Sequence, residues 1–261
     1  MRSPVTIILP FFNQHEYTKT CVNSIIESTH HPYRIIAIDN GSGEDISPWL
    51  NDKFEDINII RNGFNIGAPA AFNQGIKASD TEYVLLLNND TIVTDGWLGG
   101  LVESMELDSD TGIVGPCTNP CLEILDFFPE KAGFRNAKEI QRTAAAIWAK
   151  RKGYVEYVPG ITSFCMLIKN GMLDKIGLFD ENYGLGTNDD HDMCLRARAA
   201  GFKIACAMSV FVFHFYSKTL GGLGMEDLDK VNRDYFVAKF GERALEYFEE
   251  IGQPYQIQDF E

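Results

Sequence analysis

Positive charge is in short supply. Lys and Arg number 23 against 37 Asp and Glu, a formal net charge of −14 at pH 7, and this sets the chain against nucleic acid and against an anionic membrane surface. An anionic ligand would need a metal ion or a locally basic pocket. Long apolar runs are missing too: nothing approaches the roughly 20 residues of a spanning helix, so no transmembrane segment is expected. The apolar stretch from Val5 to Phe12 is short, contains Pro10 and runs into Asn13, Gln14, His15 and Glu16. That is not the pattern of a secretory leader, and a cytoplasmic protein is expected. Of the six Cys only Cys117 and Cys121 stand close, with no second pair to complete a zinc site; reduced, mostly buried thiols are expected.

Three fingerprints are also absent. No Gly-rich turn follows the first apolar strand, no Gly-rich loop ends in Gly-Lys-Ser/Thr, and no Gly-x-Ser-x-Gly elbow occurs. Hydride transfer from a dinucleotide, P-loop hydrolysis and serine-hydrolase chemistry lose their ground accordingly. What is present, 45% hydrophobic and 12% aromatic residues, makes a globular chain of one large domain or two small ones.

The first half alternates β-branched runs with helical patterns, the mark of βαβ units with a nucleotide site at the C-terminal strand edges. Strands are predicted at Val5 to Pro10, Tyr33 to Asp39, Ile57 to Arg61, Glu82 to Leu87 and Gly112 to Gly115, and helices at Glu16 to Ser28, Gly67 to Ala78 and Trp97 to Leu107. The run Glu82 to Leu87 is apolar throughout, so it is expected to be buried on both faces and to deliver Asn88-Asn89-Asp90 at its end. The second half predicts helices at Asn136 to Lys152 and Asp189 to Ala200, and strands at Tyr154 to Val158, Phe164 to Lys169, Phe202 to Ala207 and Val210 to Phe215. A Gly-rich segment, Ser217 to Met225, then leads to two terminal helices over Glu226 to Ile251. Phe236, Phe240, Leu245, Tyr247 and Phe248 are spaced to pack on the domain. Lys239 and Arg243 are outnumbered there by Glu242, Glu246, Glu249 and Glu250, which speaks against a membrane-binding helix.

Acidic and amide side chains at strand ends carry the candidate chemistry. Asn88-Asn89-Asp90 offers oxygen ligands of the kind that hard divalent ions prefer when they bridge phosphates, and it equally suits a turn. Asp189-Asp190-His191-Asp192 opens a helix; the dipole and an Asp192–Arg196 i,i+4 pair account for part of this. Three carboxylates in four residues repel one another, which raises at least one of their pKa values toward the range of a general base. His214, inside the aromatic run Phe211 to Tyr216, reads as a core histidine or as a ligand. Asp39 ends a strand where nucleotide folds accept from ribose hydroxyls, and also where it would cap the turn at Asn40-Gly41. Lys218 lies where a closing segment could meet an anion.

Together these stretches resemble glycosyltransferase family 2, inverting enzymes that use nucleotide-sugar donors and a divalent metal, in particular its rhamnosyltransferase-like members. Thr6-Ile7-Ile8-Leu9-Pro10-Phe11-Phe12-Asn13 is similar to the family's opening strand and base-binding turn, Arg34 to Ser42 to its second strand, and Asn65-Ile66-Gly67 with Ala71-Phe72-Asn73-Gln74-Gly75 to its small-residue helix. Leu87-Asn88-Asn89-Asp90 stands at the Asp-x-Asp motif, with Asn88 in the first acidic place, and Asp189 to Arg196 at the Glu-Asp-x-Asp-Leu-Cys-x-Arg segment, with Asp189 in place of Glu.

The resemblance implies an α/β fold: a GT-A (Rossmann-like) nucleotide-sugar-binding domain with a mixed sheet over residues 1–220, and a C-terminal helical extension, 221–261, packed on it. It implies Asp190 as catalytic base, and Pro10, Phe12, Asn13, Asp39, Asn65, Gly67, Asn73, Asn88, Asn89 and Lys218 toward the donor. Asp189 and Arg196 face the acceptor, and Asp90, His214 and Asn88 the metal, Mn²⁺ or Mg²⁺. The implied donor is a UDP- or dTDP-sugar carrying a hexose or deoxyhexose. The implied acceptor is a glycan or other hydroxyl compound, as in cell-surface polysaccharide synthesis, with specificity in Cys117 to Phe134 and Asp180 to Asn188. A sugar-phosphate nucleotidyltransferase and a silent nucleotide- or glycan-binding module are the rival readings. The first usually shows a basic, Gly-rich opening loop, which Pro10-Phe11-Phe12-Asn13-Gln14 is not.

Overall fold

The structure, a computed structural model, describes residues 4–119, 136–215 and 225–252. Its centre is a nine-stranded mixed sheet. Strands β1 (Val5–Phe11), β2 (Tyr33–Asp39), β3 (Ile57–Arg61) and β4 (Tyr83–Leu87) form the parallel half in the order β3-β2-β1-β4, and their C-terminal ends share one edge. Next to β4 the direction reverses: β8 (Cys165–Lys169) runs antiparallel to both β4 and β6 (Thr111–Cys117). Strand β9 (Lys203–His214) is parallel to β6, and it also pairs antiparallel with β7 (Val155–Tyr157) and β5 (Thr91–Val93).

Side-chain alternation explains how the sheet is covered. Val5, Ile7 and Leu9 of β1 and Leu85 and Leu87 of β4 face one way, into a core with helices α1 (His15–Ser28), α2 (Ser47–Lys53) and α4 (Trp97–Glu106). Ile8, Val84 and Leu86 face the other way, toward α3 (Ala68–Ala78), α6 (Asn170–Ile176) and α7 (Asp189–Ala199). The terminal helices α8 (Met225–Phe240) and α9 (Glu242–Glu250) insert Phe236, Ala244, Tyr247 and Phe248 into this second core. Helix α5 (Ala137–Arg151) covers the distal part of β9 through Ile140, Ala144 and Ile147. Every residue of β4 is buried, as a strand flanked by helices on both faces requires.

Two strands expected at Phe202 to Ala207 and Val210 to Phe215 are one 12-residue strand, β9. It is irregular where it passes from β6 to β5, with a register shift between Pro116 and Cys117. A bulge bends a strand without ending it, so the sequence shows two apolar runs. The short helices α2 and α6 and the three-residue strand β5 are not among the predicted elements; β5 follows directly on Asn88-Asn89-Asp90. Lys218, the Ser217 to Met225 segment up to residue 224, and 120–134 of the acceptor segment lie outside the described residues.

Candidate active site

The parallel strands end in turns that interlock. Asn13 and Gln14 after β1 both adopt left-handed backbone (φ 52° and 51°). This lets the Asn13 N–H donate to Ser42 Oγ at 2.8 Å, while the Gly43 N–H donates to Asn13 Oδ1 at 3.0 Å. Asp39 at the end of β2 is fully buried: Oδ1 accepts from the Ser42 N–H at 2.8 Å and Oδ2 lies 3.3 Å from Arg61 Nε. The capping role open in the sequence is therefore realised.

Asn40 organises the next layer. Its amide donates to Asn65 Oδ1 at 2.8 Å and to Gly67 O at 3.3 Å, and its Oδ1 accepts from Asn62 and from the Ile66 N–H. In the sequence Asn40 reads only as a turn residue. The partner amides Asn62 and Gln74, which exchange two hydrogen bonds, were the signal available. Gly67 (φ 89°) precedes α3, and a Cβ there would sit 1.9 Å from Gly184 O; only glycine admits this approach.

The cleft these turns frame is lined by Pro10, Phe12, Asn40, Asn65, Asn88 and Leu185, with Asn89 beside them. Five of the residues assigned to the donor thus share one wall. Asn73 does not. It is buried, its amide donates to Phe179 O and Glu181 Oε1 at 2.9 and 2.8 Å, and its Oδ1 accepts from the Phe179 N–H. Asn73 fastens α3 to the segment before α7, away from the residues that line this cleft.

The register of β5 against β9 sets Thr91 opposite His214. It brings Asp90 Oδ1 to 3.1 Å from His214 Nε2, both side chains being at least nine-tenths buried. The Phe164 ring stacks on the imidazole at 4.8 Å, and the His214 backbone exchanges two hydrogen bonds with the Asn119 side chain. One carboxylate and one imidazole suit a divalent ion that takes its remaining ligands from diphosphate oxygens and water. Asn88 contributes its side chain to the cleft wall, and its backbone N–H donates to Phe164 O at 2.7 Å. Among the described residues no group of three or more His, Cys, Asp or Glu converges on a metal position.

The acid cluster opens α7 as the dipole favours. Its three carboxylates occupy different environments. Asp192 is fully buried between Arg196 Nε (2.5 Å) and Lys239 Nζ (2.6 Å). Asp190 is half-buried, with Oδ2 accepting from the Ser163 N–H at 3.2 Å and Oδ1 from the His191 N–H at 2.8 Å. Asp189 is 3% exposed, and its Oδ2 meets no donor among the described residues. Burial, then the charge of Asp190, pushes its carboxyl well above the usual range and favours the protonated form.

Arg196, expected at the acceptor, makes its contacts within the fold. Beyond Asp192 it donates to the carbonyls of Ile176 (2.7 Å), Gly177 (3.3 Å) and Leu178 (3.0 Å), which commits its guanidinium to the turn after α6. Ser163-Phe164 belongs to no motif singled out in the sequence. Yet this dipeptide joins the Asp90–His214 pair to Asp190, one residue donating to the acid and the next stacking on the histidine.

Comparison with known proteins bears on this arrangement. The family model described as glycosyl transferase family 2 matches residues 6–174, more than half of the chain. The O-antigen biosynthesis protein RfbC of Myxococcus xanthus is 25% identical over 82% of this chain and 17% of its own length. The pre-mycofactocin glycosyltransferase of Mycobacterium tuberculosis is 25% identical over 80% of this chain and 42% of its own. The chain thus spans less than half of these two curated relatives. Among solved structures, GalNAc-T7 with UDP, GalNAc and Mn²⁺ superposes with a TM-score of 0.68 at 14% identity, over 94% of this chain and 50% of that one. The mannosyltransferase PcManGT from Pyrobaculum calidifontis, with GDP-Man and Mn²⁺, gives 0.62 at 16% identity, over 98% and 66%. Both likenesses show the GT-A fold, and by the match over residues 6–174 the chain belongs to glycosyl transferase family 2.

Proposed function

We propose that the chain is an inverting, metal-assisted transferase that moves a sugar from a UDP- or dTDP-sugar to a hydroxyl of a glycan or glycoconjugate. The observation that carries this reading is the pairing of two chemistries across one dipeptide: Asp90 with His214 on one side of Ser163-Phe164, and Asp190 on the other. The donor's nucleotide takes the cleft lined by Pro10, Phe12, Asn65 and Asn88. Asp90 and His214 are the residues that would hold Mn²⁺ or Mg²⁺, whose charge would stabilise the leaving diphosphate in a chain of net charge −14. The solved neighbours that hold Mn²⁺ beside a nucleotide or nucleotide sugar support this choice.

Asp190, oriented by two backbone N–H groups, accepts the proton of the acceptor hydroxyl as its oxygen attacks the anomeric carbon. The bond to the diphosphate breaks on the opposite face, so a single displacement inverts the anomer. Asp189 is buried beside this base, where burial and then the charge of Asp190 push its carboxyl pKa up. The O-antigen relative supports a glycan acceptor. We place the protein in the cytoplasm, where thiols such as Cys117 and Cys206, whose sulfurs lie 3.9 Å apart, stay reduced.

A screen of nucleotide sugars and hydroxyl acceptors, with the product anomer read by NMR, tests the reading. An inverted product is expected. A retained anomer would remove the single-displacement mechanism, and binding without turnover would favour the silent module.

A further inference from the structure

We propose that the C-terminal helix α8 completes the catalytic loop, with Asn232 as the positioning residue that holds the Asp189–Asp190 pair in place. The inference rests on the reading of Asp190 as base. It starts from the backbone that delivers the acids. Between Tyr183 and Asp189 the chain must turn sharply into α7, and Thr187 and Asn188 do this with φ of 68° and 61°. Two consecutive non-glycine residues in left-handed conformation, one of them β-branched, persist only where the surroundings impose them.

Asn232 supplies that imposition. It is 4% exposed, and its amide nitrogen donates into the concave side of the loop, toward Tyr183 O at 3.0 Å, Thr187 O at 3.2 Å and Gly186 O; Thr187 Oγ1 lies at 3.0 Å. Three carbonyls converge on one amide only when the loop is curled. Three residues earlier on the same helix face, Asp229 accepts from Asn188 Nδ2 at 2.9 Å. Four residues later, Phe236 is fully buried in the core and fixes the helix that carries both.

The clamped segment has the site at both ends. Leu185 lines the donor cleft, and its carbonyl accepts from the Ala68 N–H at 3.3 Å, while Asp189 and Asp190 follow directly after Asn188. Asn232 itself is not among the residues lining the cleft. It acts through the loop, and both lie beyond residue 174, where the family match ends.

Asn232→Asp keeps the shape of the side chain and removes both N–H donors; Asn232→Ala removes the side chain. In the full-length protein we expect either change to lower kcat for sugar transfer about 10- to 100-fold, because a small displacement of a reacting group is costly. The donor KM should stay within about threefold. Adding Thr187→Gly to Asn232→Ala should restore part of kcat, since glycine holds a positive φ unaided. Wild-type kcat in Asn232→Asp overturns the proposal, and so do proportional losses of kcat, donor affinity and Tm, which a merely structural residue would give.

Hydrogen exchange separates this from the transferase reading. The amides of Gly186 and Asp192, bonded to Tyr183 O and Asn188 O, should exchange at least about tenfold faster in Asn232→Asp. Unchanged exchange overturns the positioning role. Faster exchange in a protein whose wild type turns over no donor overturns the transferase reading alone.

Discussion

Burial separates Asp189 from Asp190 more than their sequence positions do: the first is 3% exposed with an Oδ2 that meets no donor among the described residues, and the second is half-buried and accepts from two backbone N–H groups. Burial and the Asp190 charge both push the Asp189 carboxyl above the usual range, so Asp189→Asn, which keeps the side chain's shape without a charge, is expected to lower kcat less than about tenfold. Asp190→Asn removes the proton acceptor and is expected to lower kcat by about 10²- to 10⁴-fold while nucleotide binding persists. Steady-state kinetics with calorimetry on both variants checks the pair; equal losses would reverse the assignment or merge the two roles. Arg196 and Asn73 show where residue type misleads. A guanidinium beside an acid cluster and an amide on a small-residue helix both resemble ligand contacts in sequence, yet each meets its partners within the fold, at Ile176 to Leu178 and at Phe179 with Glu181. Nothing local in the sequence distinguishes these uses, because the partners come from other elements.

Helices α7 and α8 are joined by a partly exposed charge cluster around the buried Asp192. Lys239 lies 2.5 Å from Asp180 and 2.6 Å from Asp192, and the Tyr235 hydroxyl donates to Asp180 at 2.9 Å. Burial raises the Asp180 pKa, but Lys239, the Asn182 N–H and Tyr235 outweigh it and bring the group from the ordinary 3.8 to about 2. A depressed folded-state pKa contributes stability above the unfolded value and loses it as pH falls through the folded one. Between about pH 4 and pH 2 the chain should therefore lose about 1–2 kcal/mol through this group, allowing for its partial exposure. Urea unfolding of the wild type and Asp180→Asn across that window checks it; an identical pH slope in both would contradict it. At the start of α3, Gly67→Ala places a methyl 1.9 Å from Gly184 O at φ 89°. We expect it to cost about 2 kcal/mol or more and to raise the donor KM by displacing Leu185, measured by thermal unfolding and kinetics. Most strands were legible because alternation and continuous apolar runs survive in sequence, as in Val5–Phe11 and Tyr83–Leu87. Strand β9 was read as two because its bend interrupts the pattern, and β5 was obscured because three residues are too few to show a period.

For the molecule entire, the mixed sheet gathers at one edge side chains that are far apart in sequence. His214 reaches Asp90 through the antiparallel pairing of β5 with β9, and Asp190 is bonded to Ser163 in the loop before β8, whose next residue, Phe164, stacks on His214. The acidic and amide residues were visible in sequence as motifs. Their connection through Ser163, Phe164, Asn119 and Asn232 was not, since it rests on backbone N–H groups, ring stacking and single amides that carry no spacing signal. A chain of net charge −14 has a general electrostatic reason to reject a nucleoside diphosphate, which is why the proposed donor site includes a cation at Asp90 and His214. Titration calorimetry of UDP, dTDP, GDP and CDP, each with and without Mn²⁺, on the wild type and on Asp90→Ala, puts that dependence to the test. We predict that UDP or dTDP binds only with Mn²⁺ and that Asp90→Ala abolishes the metal-dependent part. Binding indifferent to Mn²⁺ and to Asp90, or no binding of any of the four nucleotides, would contradict the metal-assisted donor site.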